Sequence, residues 1–186
     1  VAILGTLLVL LLVFALLGSG LLAALVVGAL AAFLLASILS DVLQPTPKVT
    51  PFEPYRAPED VPDPQTLQNV LDGTGEVDAL GGKGNSVIKI TKVLGPDGWY
   101  YTVTLPSTQE WLSRFGDQGA VNDLDSNLAL ILTPALQTQY ERAVLDAMAD
   151  AGIGADDPVM LVGFSQGGIM AGHLVSYNSD YNWQAV

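Results

Sequence analysis

Residues 159–168 read VMLVGFSQGG, and this stretch decides the fold. The run from Val159 to Phe164 is short and almost wholly apolar, which is typical of a buried parallel strand. It leads into Gly163-Phe164-Ser165-Gln166-Gly167, a match to G-x-S-x-G, and a helix-compatible run continues to Tyr177. Strand, motif and helix in this order predict a sharp turn that exposes its serine. A glycine-rich turn whose serine only caps the helix is the alternative interpretation.

The predicted turn makes Ser165 a candidate nucleophile. A strained backbone at Ser165 would project its oxygen away from the turn. Side chains at Gly163 and Gly167 would collide across the turn, and Gly168 would let the new helix pack closely against the sheet. The N–H of Gln166 is the predicted donor to a developing oxyanion, and the helix dipole would assist it.

A second oxyanion donor is predicted in a loop that follows an earlier strand. The segments Ser86–Leu94 (SVIKITKVL) and Trp99–Leu105 (WYYTVTL) have strand character, and Gly95-Pro96-Asp97-Gly98 between them predicts a hairpin turn. The loop Pro106-Ser107-Thr108-Gln109 then leaves the second strand. The backbone N–H of Ser107 or of Thr108 is the expected donor.

Two helices are predicted in the same domain. Thr133 is expected to cap the longer one, with Pro134 at its first position and Gly152 at its end. Its apolar stripe would consist of Leu136, Tyr140, Val144, Ala147 and Met148. A shorter helix is expected to begin at Asp63 and Pro64, with an apolar side formed by Leu67, Val70 and Leu71.

The sequence VMLVGFSQGG resembles the nucleophile elbow of α/β-hydrolases, and its G-[FY]-S-Q-G form is similar to that of cutinases and related actinobacterial lipase-like serine hydrolases. The resemblance covers roughly Thr133 to Ser176 and extends back to Ser86 through LPSTQEW. It implies a mostly parallel α/β-hydrolase-like sheet within 65–186 and cleavage of a small-molecule or lipid-like carboxylic ester. It also implies a Ser–His–Asp triad, and neither a metal nor an organic cofactor.

His173 is the single histidine of the chain. It follows Ser165 by eight residues on one predicted helix, about 12 Å along the axis, whereas a base must approach the serine oxygen to about 3 Å. We therefore interpret it as a helix-surface histidine. Asp180 lies too early for the acid of the family, which carries acid and histidine after the nucleophile. Both are expected beyond Val186, so that 65–186 would be the N-terminal part of a domain and inactive alone.

Residues 1–40 contain no charged residue and no histidine. One straight helix of this length would measure about 60 Å, roughly twice the hydrocarbon core of a membrane. We expect a transmembrane hairpin within 1–43, with spans 1–17 and 21–40 on either side of Gly18-Ser19-Gly20. One span with a broken neighbour is the alternative. The basic region and cleavage site of a signal peptide are missing, as is the polar face of a buried core helix. The predicted partner of 1–40 is the lipid bilayer of a cell membrane, with its topology open.

Residues 44–64 contain seven prolines. Their spacing favours an extended linker that could hold the next domain tens of ångströms from the bilayer. A recognition site for a proline-binding partner is the alternative interpretation.

The chain carries a net charge of −12, and all of its charged residues lie between Asp41 and Val186. This charge disfavours nucleic acid, since each phosphate contact needs a cation. The lack of cysteine excludes a thiolate nucleophile and a disulfide framework. Two other functions stay open: a non-catalytic α/β-hydrolase-like binding or scaffold domain at the membrane, and acyl transfer to an alcohol.

Overall fold

The computed structural model describes residues 9–14, 20–52, 66–111 and 119–186. Residues 9–14 are helical. The other elements of the described residues form an α/β arrangement, and in chain order they are α1 (Gly20–Leu43), α2 (Leu67–Leu80), β1 (Lys89–Gly95), β2 (Gly98–Leu105), α3 (Leu124–Leu132), α4 (Gln139–Asp150), β3 (Pro158–Gly163), α5 (Gln166–Tyr177) and β4 (Asn182–Ala185).

The four strands form one mixed sheet in the order β1-β2-β3-β4. Strands β1 and β2 are antiparallel, whereas β3 runs parallel to both β2 and β4. The predicted hairpin is therefore confirmed. Its turn ends at Gly98 with φ 121°, a conformation that glycine adopts at little cost. The α/β class is also confirmed, in the form of a mixed sheet.

The main core lies between the sheet and helices α4 and α5. Strands β2 and β3 are central and carry fully buried apolar side chains, as the run at 159–164 predicts. From α4, the predicted stripe contributes three buried members. The core includes Tyr101, Val103, Leu105, Tyr140, Val144, Met148, Val159, Leu161, Met170, Ala171 and Leu174.

Helix α4 begins at Gln139, five residues later than the sequence pattern predicts. Its N-cap is Thr138, whose hydroxyl accepts a hydrogen bond from the Glu141 N–H at 3.0 Å. The prediction for Thr133 was wrong, because Thr133 ends α3 and donates both its N–H and its hydroxyl to the Ala129 carbonyl. Proline is common both just beyond a helix end and at a helix start, so Thr-Pro fits both positions. The expected end at Gly152 is confirmed.

Helix α2 also begins later than predicted. Its N-cap is Thr66, whose side chain accepts a hydrogen bond from the Asn69 N–H at 3.2 Å. The expected cap at Asp63 and the first helical position at Pro64 lie outside the described residues.

Helix α1 is continuous and apolar. Its residues Leu22–Leu43 are long and apolar enough to cross a membrane, and 17 % of the most apolar stretch is buried in the structure. Gly20, with φ 81°, stands where the break is expected. Of the predicted first span only residues 9–14 are described, and Gly18 and Ser19 lie outside the described residues. The structure thus has one apolar N-terminal helix, and the two-span hairpin stays a prediction.

The last two turns of α1 pack against α3. Ile38, which is 2 % exposed, and Ala129 form the centre of a small apolar cluster with Val42, Leu128 and Leu132. Residues 45–52 have no regular structure, and 53–65 lie outside the described residues, so the extended linker stays a prediction. The predicted separation of tens of ångströms between the domain and the bilayer stays a prediction, although α1 itself contacts the domain.

Candidate functional site

Ser165 stands between β3 and α5 with φ 54° and ψ −119°. It is the one non-glycine residue with positive φ in the part of the chain that the structure describes. This conformation brings Cβ close to the backbone and costs on the order of 1–3 kcal/mol. The side chain makes no capping hydrogen bond to α5, and the residue is exposed. The serine therefore does not act as an ordinary helix cap, and the predicted strained, exposed turn is present.

Three glycines surround this turn, and each stands where two backbone segments come together. A Cβ on Gly163 would lie 2.2 Å from the carbonyl carbon of Gly167, which is the predicted collision across the turn. A Cβ on Gly167 would lie 2.6 Å from the carbonyl oxygen of Leu105, so the end of β2 excludes a side chain there. A Cβ on Gly168 would lie 3.3 Å from the Gly163 carbonyl oxygen, as expected where α5 starts against the sheet.

The loop after β2 lies beside the turn. Leu105 and Gly163 are register partners at the carboxyl ends of the parallel strands β2 and β3. The residues that follow them, Pro106 and Phe164, therefore leave the sheet at the same edge. The structure thus brings the predicted donor loop, 106–109, next to Ser165.

Of the two predicted donors in this loop, Ser107 is already engaged. Its N–H donates to Oδ1 of Asp78 at 2.7 Å, and its hydroxyl donates to Oδ2 of the same carboxylate at 2.6 Å. This corrects the prediction for Ser107. The hydroxyl of Thr108 accepts from Nδ2 of Asn127 at 2.8 Å, and no hydrogen bond joins the Thr108 N–H to another described residue. Thr108 is therefore the remaining donor candidate in the loop.

Further hydrogen bonds hold the loop 106–109 in place. The Tyr140 hydroxyl donates to the Pro106 carbonyl at 2.8 Å, and Nδ2 of Asn122 donates to the Ser107 carbonyl. The Gln109 N–H donates in turn to the Asn122 carbonyl at 2.9 Å. Burial raises the pKa of Tyr140 well above its ordinary range, so the phenol stays a proton donor. No sequence pattern predicts that Asp78, Asn122 and Tyr140 support this loop.

Gln166 joins the turn to α3. Its side chain is fully buried, and Nε2 donates to the Asp123 carbonyl at 3.2 Å. Asp123 is the N-cap of α3, where its side chain accepts from the Ser126 N–H at 2.8 Å. The backbone N–H of Gln166 makes no hydrogen bond with another described residue. It is thus available at the position predicted for the first oxyanion donor, at the start of α5.

His173 is buried, which corrects its interpretation as a surface residue. It is 7 % exposed, its Nε2 lies 3.1 Å from Oε2 of Glu141, and its ring stacks on Tyr177 with centroids 4.7 Å apart. Asn178 donates to the other oxygen of Glu141 at 2.9 Å. Burial alone would raise the pKa of Glu141, but the hydrogen bonds from His173 and Asn178 outweigh it and lower that pKa. The imidazole is thus bound to α4.

The described ranges contain no group of three or more His, Asp or Glu side chains that could hold a metal ion. Asp180, which is exposed, lies in the turn after α5. Comparisons with protein-family models, with curated proteins and with solved structures found no significant match. The geometry of the Ser165 turn and its neighbouring loop therefore carries the functional argument.

Proposed function

We propose that this chain is part of a membrane-anchored serine hydrolase of the α/β-hydrolase type that cleaves carboxylic, lipid-like esters with Ser165 as nucleophile. The backbone of Ser165 carries the proposal. Strain of this kind persists only where the surrounding structure imposes it, and it concentrates at functional sites. Around Ser165 the backbone segments come so close that a Cβ on any of the three neighbouring glycines would be crowded, and the serine is exposed rather than bonded to the helix.

In the proposed reaction, Oγ of Ser165 attacks the ester carbonyl carbon while its proton passes to a base. The tetrahedral oxyanion accepts hydrogen bonds from the backbone N–H groups of Gln166 and Thr108, and the N-terminal end of α5 adds a favourable dipole. The base then protonates the departing alkoxide and leaves an acyl-serine, which water hydrolyses by the same steps. Each oxyanion donor contributes about 2.7–4 kcal/mol to such a reaction.

The base in this proposal is a histidine other than His173. The 186 residues contain one histidine, and its Nε2 is directed to Glu141 on α4. We therefore place the histidine and the acid of the triad beyond Val186. The apolar helix α1, together with the predicted first span, would hold the enzyme in the membrane.

Covalent labelling of the whole gene product with a fluorophosphonate probe tests the assignment. Such probes need an activated serine and an oxyanion site, so the parent protein should be labelled and Ser165→Ala should not. The matched control is Ser176→Ala on the same helix, whose hydroxyl donates to the Gly172 carbonyl at 2.7 Å. This control should label as the parent does. Thermal unfolding should show that all three proteins are folded.

Two outcomes would contradict the proposal. Labelling that persists in Ser165→Ala would exclude this serine as nucleophile. A folded parent that resists the probe would favour a non-catalytic binding or scaffold domain at the membrane. Residues 1–186 alone should hydrolyse a p-nitrophenyl ester no faster than their Ser165→Ala variant, and clear turnover above that control would refute the argument about His173.

A further inference from the structure

Helix α1 is attached to the domain through one face of its last two turns. Ser37, Ile38 and Asp41 are all buried there, although most of the helix before them is exposed. Asp41 follows Ser37 by four positions and Ile38 by three, so the three side chains lie on one side of α1. Ile38 contacts the apolar side of α3 in a cluster separate from the main core.

The ends of α1 and α4 also cap each other. The guanidinium of Arg142, on α4, donates to the carbonyl of Gln44 at 2.8 Å and to those of Asp41 and Val42 at 3.4 Å. In the other direction, Oδ2 of Asp41 accepts from the N–H of Gln139, the first residue of α4, at 3.3 Å. Carbonyls at the end of a helix and N–H groups at its start lack partners within the helix. Each helix end supplies the groups that the other end lacks.

The combination of packing and reciprocal capping fixes the direction of α1. Contact with α3 alone would allow α1 to pivot about the point of contact. The bonds of Arg142 to the carbonyls of Asp41, Val42 and Gln44 at the helix end remove that freedom, since a planar guanidinium donates in fixed directions. We call this contact between 37–44 and helices α3 and α4 the joint.

The length of α1 sets where the joint lies relative to a bilayer. Residues 20–36 precede the joint and span about 26 Å as a helix. The hydrocarbon core of a membrane is about 30 Å thick, so a helix that crosses it from Gly20 reaches the opposite surface about 20 residues later, near Ser40 and within the joint. The joint therefore falls at the membrane surface, which leaves no distance for a spacer between membrane and domain.

Two large apolar side chains are exposed on the helices that form the joint. Leu43 on α1 is 75 % exposed, and Ile131, on the helix that packs against it, is 60 % exposed. The chain has a net charge of −12 and is therefore poorly suited to bind anionic lipid electrostatically. We therefore expect the contact between the domain and the membrane to be apolar.

We propose that the joint is rigid and seats the domain directly on the bilayer, with Ile131 and Leu43 at the boundary of the lipid headgroups. The partner of this surface is the membrane that α1 crosses. The proposal rests on the membrane anchoring proposed above, and it is independent of ester hydrolysis. Under it, residues 45–64 do not set the distance of the domain from the membrane.

Fluorescence quenching in vesicles tests the seating. The chain has no cysteine, so Ile131→Cys provides a unique site for a fluorophore. The full chain, reconstituted in phosphatidylcholine vesicles that contain brominated acyl chains, should show strong quenching of a fluorophore at residue 131. A fluorophore on Asp97→Cys should show little, because the β1–β2 turn lies at the opposite end of β2 from the loop at 106–109.

Variants of the joint complete the test. Arg142→Ala removes the cap and Ile38→Asn weakens the apolar contact, and each should reduce quenching at residue 131 towards the level at residue 97. Asp146→Ala, an exposed position one turn further along α4, should leave it unchanged. Ile38 lies outside the main core, so Ile38→Asn should leave the sheet folded even if Arg142→Ala unfolds it.

Weak quenching at residue 131 in the parent would overturn the seating, and quenching that survives both joint variants would overturn the role of the joint. Carbonate extraction of the same vesicles separates these results from a failure of anchoring. The parent and both variants should stay with the membrane. Release of the parent would overturn the anchoring, and the seating with it, without bearing on labelling of Ser165.

Discussion

Gly167 lies against the backbone of Leu105, so close that a Cβ on Gly167 would stand 2.6 Å from the Leu105 carbonyl oxygen. Leu105 is also the register partner of Gly163, on the other side of the Ser165 turn. The end of β2, the end of β3 and the start of α5 therefore meet through backbone contacts. This fixes the Gln166 N–H relative to the loop that contains Thr108, without any adjustable side chain between them.

The first prediction compares two glycines of α5. Gly167→Ala should destabilise the protein by about 1–3 kcal/mol, because the obstacle is backbone and cannot move aside. It should also abolish fluorophosphonate labelling, since relief of the clash displaces the Gln166 N–H. Gly172→Ala is the matched control, because its Cβ would meet no atom within 4 Å. That variant should be as stable as the parent or up to about 1 kcal/mol more stable. Urea unfolding measures both, and equal stabilities would contradict the reported contact.

The second prediction tests the strain at Ser165. Glycine tolerates positive φ, so Ser165→Gly should be more stable than Ser165→Ala by about 1–3 kcal/mol. At Ser176, the second-last residue of α5, the order should be reversed, with glycine up to about 1 kcal/mol less stable than alanine. Urea denaturation of the four variants measures both differences. The strain at Ser165 would be refuted if alanine were the better residue at both positions.

The parts of the fold that depend on local chemistry could be predicted from the sequence. These parts are Gly98 at the hairpin turn, the apolar run of β3 and the glycines around Ser165. Each of them determines the structure of residues that are close to it in the chain. Helix α3 carried a signal of the same kind, since Asp123 precedes apolar residues at helical spacing and caps the helix. The predicted N-cap at Thr133 was wrong because Thr-Pro is compatible both with the end of one helix and with the start of another.

Contacts between distant residues could not be predicted, because no periodicity encodes them. Asp78 and Ser107 are 29 residues apart, and Glu141 and His173 are 32 apart. The first pair decides which N–H of the loop is engaged, and the second decides that His173 is buried. The contact of Arg142 with Gln44 spans 98 residues and makes α1 part of the domain.

The third prediction concerns the support of the donor loop by Asp78. Asp78→Ala leaves the N–H and the hydroxyl of Ser107 without their acceptor and should cost about 1–3 kcal/mol of stability. Labelling of Ser165 should slow as well, because the loop that positions Thr108 loosens. The control is Asp72→Ala on the same helix, where the carboxylate makes only an exposed bond to Gln68. Unfolding and labelling rates should both distinguish the variants, and parent-like labelling in Asp78→Ala would show that the loop needs no such support.

The fourth prediction concerns pH. The pKa of Glu141 is lowered in the folded protein, because the hydrogen bonds from His173 and Asn178 outweigh the effect of burial. A lowered folded-state pKa stabilises the protein at pH values above the unfolded pKa, about 4.3 for glutamate, and this stability is lost as pH falls below that value. Glu141→Gln should therefore lose less stability than the parent between about pH 4.5 and pH 3. Urea midpoints over this range measure the effect, and parallel curves would contradict it.

The last prediction concerns where the membrane helix can be removed. The sequence alone predicts that deletion through Leu43 gives a soluble acidic domain, because the apolar block ends there. The joint changes this expectation, since Ile38 and Asp41 belong to the packed domain. Deletion of 1–36 should keep the joint, whereas deletion of 1–43 removes it and exposes the apolar side of α3. Loss of the buried Ile38 side chain alone should cost about 1.5–3 kcal/mol. The shorter protein should accordingly unfold at lower urea concentration and associate in size-exclusion chromatography, whereas the longer one stays monomeric.

Arg142→Ala in the longer protein should reproduce part of the loss, because the carbonyls at the end of α1 then lack their donor. If both truncated proteins unfold at the same urea midpoint, the end of α1 contributes nothing to the stability of the domain, and the joint is refuted.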